Sequence, residues 1–348
     1  MPEIRKDPVF GRWVIIASER SLRPNQFREV AGKNAYHCPF CPGNEAETPP
    51  SIYTLSAENG EGAKAQRNKG TKARKGKNAN WRLRVVRNKY PALQPEGDTI
   101  NRVEGIYDRM DGMGFHEVVI ETPVHSRQME DMEVSGIADI LKTYILRVNE
   151  IKKDHRIKYV MVFKNHGASA GASISHSHSQ IIAMPMTPIR VVQEITGSEN
   201  YRRDRGSCVF CDIVREEAGS KKRVLEENEN FLALTPYASR FSFELWILPK
   251  KHLSHFENAD AALMPDLAGI IKGVLGKLKR SLAGPSYNLI VHTMPVQDPE
   301  VGHYHWHIEI MPKMSMVAGF EWGTGFYINT VSPEDAAKIL NTGKKYKF

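Results

Sequence analysis

His176 and His178 stand one residue apart in Ser175-His176-Ser177-His178-Ser179-Gln180, just after the small-residue run Gly167-Ala168-Ser169-Ala170-Gly171-Ala172-Ser173. On an extended chain, side chains two apart share a face. A flexible loop rich in backbone N–H groups can hold phosphate oxygens. Paired imidazoles beside such a loop suit two kinds of chemistry, metal binding and attack on phosphorus. Gln180 shares the face of His178, where its amide can donate to a phosphate oxygen.

The four cysteines fall in two Cys-x-x-Cys pairs, Cys38/Cys41 and Cys208/Cys211. A single redox pair is expected to open a helix near a βαβ unit. Two pairs 170 residues apart, each followed by candidate histidines, point instead to two zinc sites.

Those pairs belong to a pattern that runs twice along the chain. In the first run, Cys38/Cys41 precede a strand-like Trp81–Val86, then Phe115–Glu121 with Pro123 and His125. A helical stretch over Val134–Lys153, strand-like Tyr159–Phe163 and His176-Ser177-His178 follow, with an apolar stretch closing at Pro185. In the second, Cys208/Cys211 precede Phe231–Leu234 and Phe243–Leu248 with Pro249 and His252. Then come a helical stretch over Ala261–Leu282, Tyr287–Val291 and His303-Tyr304-His305-Trp306-His307, closing at Pro312. Counting back seven residues from each proline sets His178 opposite His305. Short alternating strands with one long helix per half predict an α+β fold with antiparallel sheets, its halves related by a pseudo-twofold.

With 348 residues, 41% hydrophobic and 25% charged, the chain reads as an ordinary soluble globular protein. No run approaches the ~18 apolar residues of a membrane span, and the first residues lack a signal-peptide core, so a cytoplasmic location is expected. The net charge of +8 is concentrated in seven basic residues between Lys64 and Lys77. The stretch 56–80 around them has almost no apolar content and is expected to be a disordered surface loop. No aromatic residue is interleaved there, which disfavours nucleic acid as a partner.

The order of motifs resembles the galactose-1-phosphate uridylyltransferase family of the histidine-triad superfamily, over nearly the whole chain. The resemblance rests on Arg5-Lys6-Asp7-Pro8 through Trp13-Val14-Ile15-Ile16, Arg20, Arg23-Pro24, Cys38-Pro39-Phe40-Cys41, Asn88-Lys89-Tyr90-Pro91-Ala92-Leu93 and Val124-His125-Ser126. It continues through the glycine/serine loop, the Ser-His-Ser-His-Ser-Gln motif and Gly319-Phe320-Glu321. Uridylyltransferases carry His-Pro-His-Gly-Gln where this chain has Ser-His-Ser-His-Ser-Gln, a form also seen in ADP-glucose phosphorylase. The resemblance implies two histidine-triad-like halves, 1–195 with the nucleophile and 196–348. It also implies a homodimer acting on a nucleotide sugar and a hexose 1-phosphate or phosphate.

What the resemblance implies for single residues is equally specific. His178 attacks the α-phosphorus to give a covalent nucleotidyl-histidine, a ping-pong scheme that divides one difficult step into two; its other ring nitrogen is expected to donate to a backbone carbonyl. Arg20 and Arg23 contact phosphate, Asn88 the ribose, and Glu321 hexose hydroxyls. Asn165, Gly171 and Ser173 belong to the loop that supplies donors to the α- and β-phosphates. Cys38, Cys41, His125 and His176 would hold one structural zinc, and Cys208, Cys211, His252 and His305 a second, each a closed tetrahedral set. His255, His303 and His307 are rival ligands for the second site, and His305 is a rival nucleophile in a hydrolase reading. The expected activity is a UDP-glucose:hexose-1-phosphate uridylyltransferase of galactose metabolism; the alternative is an ADP-glucose phosphorylase. A zinc-dependent nucleic-acid binder is the reading from a different class.

Overall fold

The structure, a computed structural model, describes residues 3–6, 13–16, 37–57, 80–314, 319–325 and 327–346. Its strands are β1 (Glu3–Lys6), β2 (Trp13–Ile16), β3 (Ser51–Ser56), β4 (Trp81–Arg87), β5 (Arg102–Glu104), β6 (Tyr107–Asp111), β7 (Phe115–Ile120), β8 (Tyr159–His166) and β9 (His178–Met184). They continue with β10 (Val224–Glu227), β11 (Phe231–Leu234), β12 (Leu245–Pro249), β13 (Tyr287–His292) and β14 (His307–Pro312). The helices are α1 (Val134–Ile151), α2 (Ile189–Arg205), α3 (Val209–Ser220), α4 (Met264–Leu282), α5 (Gly319–Thr324) and α6 (Pro333–Thr342). The expected basic loop falls almost wholly in 58–79, outside the described residues, as do Arg20 and Arg23.

A small sheet in the order β2-β1-β6-β5 stands apart from a large sheet in the order β10-β11-β12-β14-β13-β8-β9-β7-β4-β3. The large sheet reads the same from either edge. Five strands of each half follow one path, with the long helix between the third and fourth strands in sequence, and β8 meets β13 antiparallel at the centre. Every resolved pairing between its strands is antiparallel. The 195/196 junction lies inside α2, so that helix belongs to both halves.

Alternation along the strands divides the interior into layers. Leu83, Val85, Val119, Ile181 and Ala183 from the first half, with Ala233, Ile247, Leu289 and Ile308 from the second, face α1 and α4, which pack on each other. Val86, Val118 and Ile120 point the other way, onto Cys38 and Phe40. Leu232, Leu234 and Leu248 do the same against Cys208 and Phe210. Arg147 on α1 donates to both carboxylate oxygens of Glu117 on β7, at 2.8 and 2.7 Å, a forked contact that fixes the helix over the strand carrying one wall of the site.

Candidate active site

His178 is the first residue of β9, and its register against Ile120 of β7 turns it away from the helix layer, towards Phe40. It is 7% exposed, at the floor of a cavity of about 340 Å³. Pro39, Phe40, Val86, Val118 and Ile174 give the cavity apolar walls, while Arg87, Asn88, Lys89, Ser173 and Gln180 give it polar ones. Nδ1 of His178 donates to the backbone oxygen of His176 at 2.8 Å. That bond fixes the tautomer, so Nε2 keeps its lone pair. Burial, reinforced by the Lys164 charge, brings the imidazole pKa down to about 4 against the pull of the His176 carbonyl, so the ring is neutral at pH 7.

The serines flanking His178 face the opposite way and are anchored. Lys164 of β8, 1% exposed, donates to Glu121 at 2.6 Å, Ser177 Oγ at 2.9 Å and the His178 carbonyl at 3.2 Å. Ser177 donates to Glu121 at 2.6 Å, and Tyr144 of α1 donates to Ser179 at 2.7 Å. Burial alone would raise the Glu121 carboxyl, but the Lys164 ammonium holds it below its ordinary value.

The glycine/serine loop forms a short turn over Ala168–Ala170. Gly167 (φ 81°) and Gly171 (φ 85°) bracket it in the left-handed region that glycine enters without strain. A β-carbon at Gly167 would also sit 2.1 Å from Ser286 Oγ, so the loop lies directly on the second half. Gly171, Ala172 and Ser173 line the cavity, but the N–H groups of Ala170, Gly171 and Ala172 are bonded to carbonyls within the loop. Asn165 is held from the second half as well: Asn288 Nδ2 donates to Asn165 Oδ1 at 2.8 Å and to Ala170 O at 2.9 Å. Asn88 lines the cavity, whereas Glu321, in α5, is not among the residues lining it.

Both cysteine–histidine sets assemble. Nδ1 of His125 is 3.3 Å from Cys41 Sγ, and Nδ1 of His176 is 3.6 Å from the sulfurs of both Cys38 and Cys41. In the second set, Cys211 Sγ is 3.3 Å from His252 Nδ1 and 3.7 Å from His305 Nδ1. A tetrahedral ion with bonds of about 2.3 Å to sulfur and 2.0 Å to nitrogen places such atoms about 3.5 Å apart, so the spacing fits zinc. The outer nitrogens are oriented for it: His176 Nε2 lies 2.7 Å from Thr122 O and His252 Nε2 2.9 Å from Val301 O, leaving each Nδ1 for a cation. Burial, and then the neighbouring sulfur, pushes the Cys41 thiol up to about 11 and Cys211 to about 12. Thiols paired this way ionise readily only beside a cation.

The structure corrects the alignment of the two halves. His305 sits in the cysteine cluster, so its counterpart is His176, and His307 at the start of β14 is the counterpart of His178. His307 repeats the bond to its neighbour, with Nδ1 3.2 Å from His305 O. It does not line the cavity that His178 lines. His292 stacks on it at 4.5 Å and 9°, Trp246 and Phe210 cover it, and it is 1% exposed. The rival ligands His255, His303 and His307 are not members of the second set. His255 Nε2 is 3.2 Å from Pro295 O, and Cys208 Sγ meets the backbone oxygen of His303.

Around His307 lies a group that sequence reasoning missed. Glu194 of α2 approaches His307 Nε2 at 3.4 Å, His292 Nδ1 at 3.1 Å and the Tyr304 hydroxyl at 3.0 Å, and Glu309 approaches His292 Nε2 at 3.2 Å. Burial opposes charge here, but hydrogen bonds to the two carboxylates overcome it and raise His292 to about 10, and His292 and His307 in turn hold Glu194 at about 2. A charged imidazole between two carboxylates satisfies this cluster.

Residues 66–188 match the family described as galactose-1-phosphate uridyl transferase, N-terminal domain, and residues 148–342 match one described as a domain of unknown function. ADP-glucose phosphorylase of Arabidopsis thaliana is 41% identical over 97% of this chain and 92% of its own. Galactose-1-phosphate uridylyltransferase of Thermotoga maritima is 27% identical over 98% of both. The crystal structure of the Arabidopsis thaliana ADP-glucose phosphorylase with bound ADP-glucose superposes with a TM-score of 0.75 at 40% identity, covering 98% of this chain and 99% of that one. The chain belongs to the galactose-1-phosphate uridylyltransferase family of nucleotidyltransferases.

Proposed function

We propose that the protein is an ADP-glucose phosphorylase working through an adenylyl group carried on His178. The observation that carries the chemistry is the single neutral imidazole nitrogen left at the floor of the cavity. The choice of nucleotide rests on the 41% identity to ADP-glucose phosphorylase over almost the whole length, which favours it over the uridylyltransferase reading. Nε2 of His178 attacks the α-phosphorus of ADP-glucose; a P–N bond forms as the P–O bond to glucose 1-phosphate breaks. An oxygen of inorganic phosphate then attacks the same phosphorus, ADP leaves, and His178 regains its lone pair.

Gln180 donates to the phosphoryl oxygens, and Arg87 and Lys89 add positive charge along the cavity wall. Asn88 contacts the ribose and Ser173 the phosphates. Asn165 and Gly171 shape the loop, and Arg20, Arg23 and Glu321 keep the phosphate and hexose roles the resemblance implies. Zinc in each cysteine–histidine set would act structurally, and in the first set the ligand His176 would hold the strand that carries the nucleophile. Residues 1–195 and 196–348 form the two halves, supported by the palindromic strand order. A homodimer is part of the proposal, and the exposed Val103, Ile106 and Tyr107 on the β5–β6 hairpin offer apolar surface for it. No helix among the described residues is long and apolar enough to cross a membrane.

The test is the intact mass of the protein after mixing with ADP-glucose or with UDP-glucose. An adenylyl adduct that phosphate discharges as ADP is the expected result. A uridylyl adduct alone, discharged by galactose 1-phosphate, returns the protein to the uridylyltransferase reading.

A further inference from the structure

His116, at the second position of β7, is buried at 3% exposure and sits beside Gln180. Val118 of β7 pairs with Gln180 of β9, so His116 is the diagonal neighbour of Gln180 on the same face. Among the described residues, Ala92, Gln180 and Asn88 all approach its ring. The backbone N–H of Ala92 donates to Nδ1 at 3.0 Å. Gln180 Oε1 lies 2.8 Å and Asn88 Nδ2 3.1 Å from Nε2.

A backbone N–H can only donate, so Nδ1 of His116 must carry a lone pair. A neutral imidazole has one ring proton, which then resides on Nε2. A buried N–H needs an acceptor, and the Gln180 amide can provide one only through its oxygen. The direction of the Gln180 amide thus follows from the Ala92 backbone and not from the way its two ends are assigned. Asn88 is oriented separately, because its Oδ1 accepts from the Tyr90 N–H at 2.9 Å. Since Nε2 of His116 is protonated, it cannot accept from Asn88 Nδ2. The NH₂ groups of Gln180 and Asn88, which both line the cavity, therefore keep their hydrogens for a ligand.

We infer that His116 is a positioning residue that locks Gln180 with its amide NH₂ presented to the phosphoryl group transferred through His178. This deepens the proposed nucleotidyl transfer and rests on it. An unlocked Gln180 would rotate and offer its oxygen to the phosphate for part of the time, a repulsive arrangement.

Two substitutions separate the parts of the ring. His116→Asn keeps an acceptor near Nδ1 for Ala92 but loses the donor to Gln180, whereas His116→Gln places an amide donor near the Nε2 position. In single-turnover adduct formation, Gln180→Ala is expected to cost about 100-fold, the scale of one oxyanion donor. His116→Asn is expected to cost about 10-fold and His116→Gln about 3-fold or less, because a misdirected amide is only partly lost. In the Gln180→Ala background His116→Asn should have no further effect, since the two act as a unit. An additive loss in the double variant, or equal losses for His116→Asn and His116→Gln, would overturn the inference. Nitrogen-15 spectra of the histidine rings give a readout independent of turnover: a proton on Nε2 of His116 supports the inference and a proton on Nδ1 overturns it. If the parent protein forms no adduct at all, the proposed function fails while the ring spectrum still decides the orientation.

Discussion

Lys164 Nζ donates to the backbone carbonyl of His178, 3.2 Å away, from the side of β9 opposite the cavity. The same ammonium meets Glu121 at 2.6 Å, with both groups almost fully buried. The strand that presents His178 is therefore anchored from behind by a charge pair. Lys164→Met leaves the Glu121 carboxylate buried without its counter-ion, a change that costs about 3–5 kcal/mol. The expected result is a fall in Tm together with slower adduct formation, measured by calorimetry and intact mass. Adding Glu121→Gln to Lys164→Met should recover much of the Tm, because the uncompensated charge is gone. No recovery would mean that the pair is not the anchor.

Metal analysis of the purified protein is expected to give two zinc ions per chain. Cys41→Ser and Cys211→Ser should each remove one, and their effects should differ. Loss at the first set frees His176, whose carbonyl accepts from His178, so adduct formation should be abolished or nearly so. Loss at the second set leaves His178 untouched and should lower Tm more than the adduct rate.

His292 makes stability depend on pH on the alkaline side. Its folded pKa of about 10 lies above the ordinary histidine value near 6.5. A raised folded value means that the contribution is complete below about pH 6.5 and is lost as pH rises through about 10. Tm should therefore decline between pH 7 and 10, and His292→Gln should start lower and decline less. Parallel curves for the two proteins would remove His292 as the cause.

Asn288→Ala removes the two hydrogen bonds that Asn288 Nδ2 donates to Asn165 Oδ1 at the end of β8 and to Ala170 O in the loop beside His178. Each is worth about 1 kcal/mol, so the expected effect is a loss of up to roughly 30-fold in kcat/KM for the nucleotide sugar. An unchanged kcat/KM would mean the loop keeps its shape without this support.

The cysteine–histidine sets were legible because liganding demands few residue types at fixed spacing, and all eight members come together. The long helices were legible from their apolar stripes. The polar helix α2 was not, because only Val191 and Ser198 are buried along it, too few to mark a face. Glu194 was missed with it. Counting from the prolines misaligns the two halves because the stretch from His178 to Pro185 is two residues longer than that from His307 to Pro312. Lys164 carries a signal in the sequence: a lysine directly after the apolar run Tyr159–Phe163 of a central strand calls for a buried carboxylate. Which way an amide points, as at Gln180, depends on the backbone of Ala92, distant in sequence, and no spacing rule reports it.

β13 hydrogen-bonds to β8 along its length while Ser286 and Asn288 rest against the loop. On the proposed function the two halves divide the labour within one molecule: the half that carries His178 would do the chemistry, and the other would serve as its mould. An isolated first half would expose β8 as a bare sheet edge and leave its loop without a template. The smallest working unit is then the pair, and shortening the chain to its reactive half would yield an aggregating fragment instead of a smaller enzyme.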